Sequence, residues 1–439
     1  SPSRDMAMPE LATIPPVVAR TGSTSKSRPA PTGMFRGTGR TSISAVQVPH
    51  TTQSNCFVFF DIGMVSRECA PRVPFSSPRD TLKPAIIFLM EGHLMEKTLD
   101  RKLKRILADP RCRDFILADA KDADMAFGLS ATGVKPGGDQ SQITYRSLAE
   151  YHDCIRQLVA TGLIDVMLMS ASTNATLTID DRIFDSTAVT PAVRMNDTTD
   201  IWLAAGSGSY TTQSARPFAT TTIPHAMCGH AHCPNGAPLQ GADLGLFSIT
   251  LNDDVIADRE MLECYKAFRI DAERCGFRHF LEVFFPNKPA HCDSPAAQHP
   301  GRFLADSVVR LLAGVPKASR PIFLKIPYLG PRLTEMLAAY DRSMVIGILG
   351  GSSGTTLDAF SLLADAKRYG ARIALFGRKI NAAEDQVSFV KILREVADEQ
   401  IEPREGVRAY HNELAKLKIK SHRSLEADLE TELTRASYG

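Results

Sequence analysis

From about residue 95 to the C-terminus, short apolar runs alternate with stretches of helical periodicity. Eight runs carry a strand signature: Phe115 to Asp119, Ile164 to Ser170, Ala192 to Asn196, Leu244 to Leu251, Phe280 to Phe285, Ile322 to Pro327, Met344 to Leu349 and Arg372 to Phe376. Helical patterns lie between them, such as Val255 to Cys275 stopped by Gly276, and Thr356 to Tyr369 stopped by Gly370. Asp253 and Asp254 stand where an N-cap for the helix at Val255 belongs. Strand, cap, helix and glycine repeat in this way along the chain. An open doubly wound sheet gives the same alternation. Eight units over roughly the 250 or more residues typical of barrels favour closure, so the pattern predicts a (β/α)8 TIM barrel.

Residues 1 to 94 have no such periodicity. Ser, Thr, Pro, Gly and Arg dominate, as in Thr21 to Pro31, and a segment of this kind buries too little apolar surface to offset its chain entropy. The expectation is a disordered N-terminal extension, residues 1–94, before a barrel with C-terminal helices at 95–439. The basic, Ser-rich start is also compatible with a transit peptide, although no amphipathic Arg-bearing helix accompanies it. A further reading places the true start near Met95, just ahead of a good helix from Glu96 to Leu107. After Pro403, helical segments including His411 to Lys420 are candidates to meet a second copy or to cover the barrel base.

Composition adds exclusions. With 44% hydrophobic and 23% charged residues the chain can build a large core, and a formal net charge of +2 argues for neither a nucleic-acid nor an anionic-membrane partner. The apolar run Ala85 to Met90 is far shorter than the roughly 20 residues that span a bilayer. Nine cysteines scattered through the chain do not resemble a secreted disulfide framework, which points to reduced thiols and a cytoplasmic setting.

In a closed barrel the chemistry gathers at the C-terminal ends of the strands. Those ends hold Asp119, Ser170, Asn196 with Asp197, Asn252 with Asp253, Glu282, Lys325, Gly350 with Gly351, and Gly377 with Arg378. Lys325 is the most informative, because alternation points it opposite to its apolar neighbours Leu324 and Ile326. A lysine directed into the barrel is costly as an ammonium, and the free amine that burial favours attacks a ketone or aldehyde carbon. The competing readings are a buried ion pair with Glu282 or a lysine on the helix-facing side. Gly350, Gly351 and Ser352 after the seventh strand, with Gly377 and Arg378 after the eighth, stand where barrels often bind phosphate. Each loop alone is equally well read as a plain turn.

Leu281-Glu282-Val283, Leu324-Lys325-Ile326, the Gly350-Gly351-Ser352-Ser353-Gly354 loop and Phe376-Gly377-Arg378 together resemble class I aldolases of the tagatose-bisphosphate and sulfofructose-phosphate type. A more distant similarity is to deoxyribose-phosphate and archaeal-type fructose-bisphosphate aldolases, over roughly residues 97 to 400. The resemblance implies a lyase without metal or organic cofactor, acting on a small anionic sugar. Lys325 would form the imine, Glu282 would assist proton transfer, and the acid ending the first strand, Asp119, would orient the lysine or the substrate hydroxyls. The family shows Asp-Gln-Arg or Asp-His-Gly where this chain has Asp119-Ala120-Lys121-Asp122, so the register leaves Asp119 and Asp122 as alternatives.

A second cluster lies between strands three and four, where His225, Cys228, His230, His232 and Cys233 fall within nine residues. These are zinc-ligand types at a spacing that matches no standard finger, and a lid over the mouth is the competing reading. Asp253 reads as a helix cap, and Arg194 can face either the pocket or a helix. Two rivals to the aldolase reading follow: a metal-dependent lyase or isomerase using the His/Cys loop, and a barrel that senses a sugar phosphate without turnover.

Overall fold

The computed structural model describes residues 95–135, 144–202, 210–234, 239–351 and 354–432. Everything expected of residues 1–94, and of Ser352, lies outside the described residues. Eight parallel strands close into a barrel: β1 Ile116–Lys121, β2 Val166–Met169, β3 Thr190–Arg194, β4 Leu244–Thr250, β5 Arg278–Phe284, β6 Leu324–Ile326, β7 Ile346–Leu349 and β8 Ile373–Phe376. β1 pairs with both β2 and β8, through Ala118 opposite Val166 and Ile116 opposite Ile373, which completes the ring. The expected strands are all present, with ends shifted by a few residues.

Alternation along each strand divides the apolar residues between two layers. Ile116 and Ala118, Val166 and Leu168, Leu244 and Leu246, Phe280, Phe323, and Ile373 with Leu375 fill the barrel interior. The rings of Phe280 and Phe323 stack there with centroids 4.4 Å apart. Leu117, Met167, Met169, Ile249, Leu281, Leu324, Ile348 and Phe376 point the other way and pack under the helices. The first helix, Thr98–Ala108, closes the base, because its Leu99 and Leu103 belong to the interior cluster. Asp165 locks that end by accepting from Lys102 at 2.9 Å, from Arg394 at 2.7 Å and from the Leu117 amide at 2.8 Å. The N-terminal end of the barrel is therefore filled and pinned, which leaves the other end for chemistry.

The helices begin and end where their caps dictate. Val255–Cys275 stops at Gly276, which is left-handed at φ 62°. Its N-cap is Asp254, whose side chain accepts from Ile256 and Ala257; Asp253, expected as the cap, instead takes the left-handed conformation at φ 59°. A capping box of Ser147 and Glu150 starts Leu148–Thr161, and one of Thr355 and Asp358 starts Thr356–Arg368. Between β3 and β4 the chain makes a two-residue antiparallel pairing, Asp197–Thr198 with Pro217–Phe218, and a short helix, Ile223–Cys228. Among the described residues no helix is long and apolar enough to cross a membrane.

Candidate active site

Lys325 and Glu282 occupy paired positions on β6 and β5, so their side chains leave the sheet on the same face. Both are buried, and Lys325 Nζ lies 2.5 Å from Glu282 Oε1. The second carboxylate oxygen, Oε2, accepts from Ser248 Oγ on β4 at 2.6 Å. Arg194, at the end of β3, approaches the same oxygen at 3.5 Å. Its Nη1 reaches Asp122 Oδ2 at 2.7 Å, its Nη2 reaches Asp197 Oδ1 at 3.2 Å, and its Nε donates to the Asn196 carbonyl at 3.0 Å. The guanidinium fork is thus saturated by protein groups. It joins β1, β3 and β5 in one buried network.

The electrostatics follow from burial set against pairing. Burial opposes the charge on Asp122, but Arg194 and Lys325 outweigh it and hold this carboxyl below its usual range. For Asp197 burial wins over Arg194, and its carboxyl is raised. Burial also disfavours the Arg194 cation, yet Asp122, Asp197 and Glu282 more than compensate and raise it.

Arg378 follows Gly377 at the end of β8; its side chain is exposed, while desolvation by the protein packed around its base pulls the guanidinium below the ordinary value. It lies over the Phe127 ring at 5.7 Å and has no hydrogen-bond or ion-pair partner among the described residues. Three carboxylates, Asp122, Asp197 and Glu282, therefore share the mouth with three cations, Arg194, Lys325 and Arg378. Of those cations, Arg378 alone keeps its hydrogen-bonding fork uncommitted among the described residues. Gly377 brings it there by close packing, since a Cβ at this position would stand 2.5 Å from the Ala120 carbonyl oxygen.

Asp119 does not belong to the site. It shares the helix-facing side of β1 with Leu117, and its partner Lys121 turns outward to Gln386 Oε1 at 3.0 Å and to the Tyr151 ring. Both contacts come from outer helices, Gln386–Ala397 and Leu148–Thr161. Lys121 Nζ stands 3.3 Å from Asp119 Oδ2, an ion pair without hydrogen-bond geometry, and burial lifts this carboxyl to about 6 despite it. The acid in the mouth is Asp122. β1 runs on through Lys121, two residues beyond the end expected from its apolar run, and this extension moves the mouth-facing acid along the chain.

The seventh loop also differs from expectation. A phosphate site at a helix start needs unpaired amides. The Thr355 amide donates to Asp358, the Asp358 amide to Thr355 Oγ1, and the Thr356 amide to Asp428 Oδ1 of the C-terminal segment at 2.7 Å. That helix start is occupied. Gly350 and Gly351 remain at the end of β7, with Gly351 left-handed at φ 60°, and Lys379 ties the eighth loop to the seventh by donating to the Gly354 carbonyl at 2.7 Å.

In the His/Cys loop, Cys228 and Cys233 are joined in a disulfide, so the reduced state expected of all thiols fails here. Cys112, Cys154, Cys264, Cys275 and Cys292 are free. His225 Nδ1 pairs with Thr222 Oγ1 at 2.7 Å. Among the described residues no three His, Cys, Asp or Glu side chains, those of His225, His230 and His232 included, converge as metal ligands.

Ser248 gave no signal in the sequence, being a neutral residue in an apolar strand, and Asn196 showed only as a polar strand end. Yet Asn196 clamps β3 to β4 by donating to the Ser248 carbonyl at 2.8 Å and accepting from the Ser248 amide at 2.6 Å. Arg194 could have been found by asking what neutralises Glu282 on the neighbouring strands.

No protein-family model matches this chain, and no curated protein does. Among solved structures, a Schiff-base-forming fructose-1,6-bisphosphate aldolase is similar at 17% identity and TM-score 0.47, over 68% of this chain and 99% of that one. An archaeal fructose 1,6-bisphosphate aldolase is similar at 16% identity and TM-score 0.46, over 69% and 99%. The carboxyl transferase domain of Rhizobium etli pyruvate carboxylase is similar at 12% and 0.40, over 81% and 56%. Likenesses this distant carry no argument, and the barrel stands on its own strand registers.

Proposed function

We propose that this chain is a class I aldolase-type lyase that makes or breaks a carbon–carbon bond in a phosphorylated or otherwise anionic ketose through an imine on Lys325. The observation that carries the reading is the contact of Lys325 with Glu282, 2.5 Å apart at the barrel mouth. A lysine in a carboxylate pair must lose a proton before it can attack a carbonyl, and Glu282 is placed to take it. Ser248 holds the other oxygen of Glu282 and so fixes the direction in which that proton travels.

The sequence of steps is then constrained. Neutral Lys325 adds to the ketose carbonyl, and loss of water gives the protonated imine, which serves as the electron sink. A carboxylate removes the proton from the hydroxyl beyond the scissile bond; the electrons of that bond move into the imine, giving an enamine and releasing an aldehyde. Reprotonation of the enamine and hydrolysis release the second product. Positioned proton transfer of this kind contributes typically about 10²- to 10⁴-fold. Asp122, kept ionised by Arg194 and Lys325, favours the positive charge that persists on the imine nitrogen. Arg378, with its uncommitted fork, is the group for the substrate anion.

The test is borohydride reduction of the full chain with a panel of ketose phosphates, read by intact and peptide mass. A reduced adduct on Lys325 is expected. Absence of any adduct on Lys325 in folded protein would remove the imine reading.

A further inference from the structure

We infer that Arg269 is an anion-binding site on the outer wall of the barrel, which takes one small oxyanion of the phosphate or carboxylate type. Comparison of the buried cations shows why. Five lysine and arginine side chains are buried among the described residues: Lys121, Arg194, Arg269, Lys325 and Lys367. Lys121 faces Asp119 at 3.3 Å, Arg194 is held by Asp122 and Asp197, Lys325 pairs with Glu282 at 2.5 Å, and Lys367 donates to the Ala397 carbonyl at 2.6 Å. Arg269 alone among them has neither a hydrogen bond nor an ion pair. A buried charge without a counter-charge is costly, so the partner this one lacks must come from outside the chain.

The surroundings supply no internal partner. Arg269 lies on the buried face of the helix Val255–Cys275, with its Cζ 5.1 Å from the centroid of the Tyr265 ring one turn earlier. The ring attracts the cation but has no lone pair for its N–H donors. The Tyr265 hydroxyl is bonded to His279 Nε2 at 2.9 Å, and His279, pushed down to about 3 by burial and by Arg269, stays neutral. The acids of the helix and of the adjoining strand ends are committed elsewhere. Glu263 pairs with Lys266 at 2.6 Å, Asp271 with Arg274 at 3.3 Å and Asp243 with Arg278 at 2.8 Å, while Glu273 accepts from Ser319.

The side chain presents the right edge to solvent. Arg269 keeps 9% of its surface exposed; its Nε is sealed without a partner, whereas Nη1 and Nη2 reach the surface. Those two nitrogens form the edge of the planar fork that takes both oxygens of a carboxylate or phosphate. Tyr265 and the buried stem hold the fork in one place, so little side-chain freedom is lost when the anion binds. The site is separate from the barrel mouth, since His279 lies at the start of β5 and Glu282 near its other end.

The test is the thermal unfolding midpoint of the full chain against inorganic phosphate at constant ionic strength. Arg378→Ala serves as the background, so that phosphate bound at the mouth does not contribute, and is compared with Arg378→Ala/Arg269→Met. In the background the midpoint is expected to rise by about 2 °C or more and to saturate, as binding to the folded state alone requires. With Arg269→Met added, no saturable rise is expected. Without phosphate that protein should be at least as stable as the background, because an apolar side chain removes an uncompensated charge. Should it fold poorly, Arg269→Lys, which keeps the charge and loses the fork, is expected to need about tenfold more phosphate for the same rise. Equal rises with and without Arg269, or no rise in the background, would overturn the site. So would a stability coupling between Arg269→Met and Glu273→Gln, which would make Glu273 the counter-charge. None of these readouts depends on aldolase activity.

Discussion

Arg194 Nη1 and Asp122 Oδ2 stand 2.7 Å apart, joining the end of the third strand to the residue just beyond the first. Asp197 and Glu282 complete a set of three carboxylates around one buried guanidinium. Removing one partner of a buried charge pair leaves the others desolvated and unpaired, which typically costs about 3–5 kcal/mol. Arg194→Met is expected to lose stability in that range by urea denaturation, and adding Asp122→Asn to recover part of it. Full stability in the single variant would mean that the network is not buried as described.

The two aspartates of the first strand should separate in function. Asp119 lies on the helix-facing side with Lys121, whereas Asp122 meets the Arg194 network. Asp119→Asn is expected to leave borohydride trapping on Lys325 unchanged. Asp122→Asn should lower it by on the order of tenfold or more, the scale of a lost charge-assisted hydrogen bond of about 1.5–3 kcal/mol. The measurement is trapped adduct against time for both variants. A slow Asp119→Asn with a normal Asp122→Asn would return the mouth to the first-strand acid.

Two buried groups give opposite pH slopes to stability. Burial lifts Asp119 from the ordinary 3.8 to about 6, so its contribution is complete below the unfolded value and is lost as pH rises through 6. The amount is on the order of 3 kcal/mol. His279, bonded to Tyr265 at 2.9 Å, is pushed down from 6.5 to about 3 by burial, with Arg269 adding to it. Its contribution is present above 6.5 and is lost as pH falls. Between pH 4 and 6 the two partly cancel in the parent protein. Relative to the parent, Asp119→Asn should gain stability as pH rises across this window, and His279→Gln should gain as pH falls. Denaturation midpoints at several pH values check both signs.

The architecture was legible because the hydrophobic period changes sharply at each element and the stops are chemical. Gly276 ends its helix as the sequence implies, and Lys325 stands out as a charge inside an apolar run. The limits were also physical. Alternation shows that Arg194 differs in face from Val193 but not which face is inside; the answer came from the carboxylates on strands far away in sequence. Polar residues that continue β1 hid its true end at Lys121, and with it the identity of the mouth acid. At the seventh loop two amides of the helix start go to the local Thr355–Asp358 capping box, and the Thr356 amide goes to Asp428, more than seventy residues away, which no local pattern reveals.

Arg378 gives the sharpest test of the substrate class. It is exposed, lies over Phe127, and has no hydrogen-bond or ion-pair partner among the described residues, while Arg194 is already saturated. If it receives the substrate anion, Arg378→Ala should raise the half-saturating concentration of a phosphorylated ketose in the trapping assay by on the order of tenfold or more, since hydrogen bonds to charged groups are worth about 1.5–3 kcal/mol. The trapping rate at saturation should change far less, because the imine chemistry lies at Lys325 and Glu282. Inorganic phosphate should compete in the parent and not in the variant. Gly377→Ala reaches the same point by another route: its Cβ would press on the Ala120 carbonyl and push the eighth loop away, a misfit that typically costs about 1–3 kcal/mol. It should therefore weaken phosphate competition together with stability, whereas Arg378→Ala weakens the competition alone. If phosphate competes equally in the parent and Arg378→Ala, the anion sits elsewhere in the mouth.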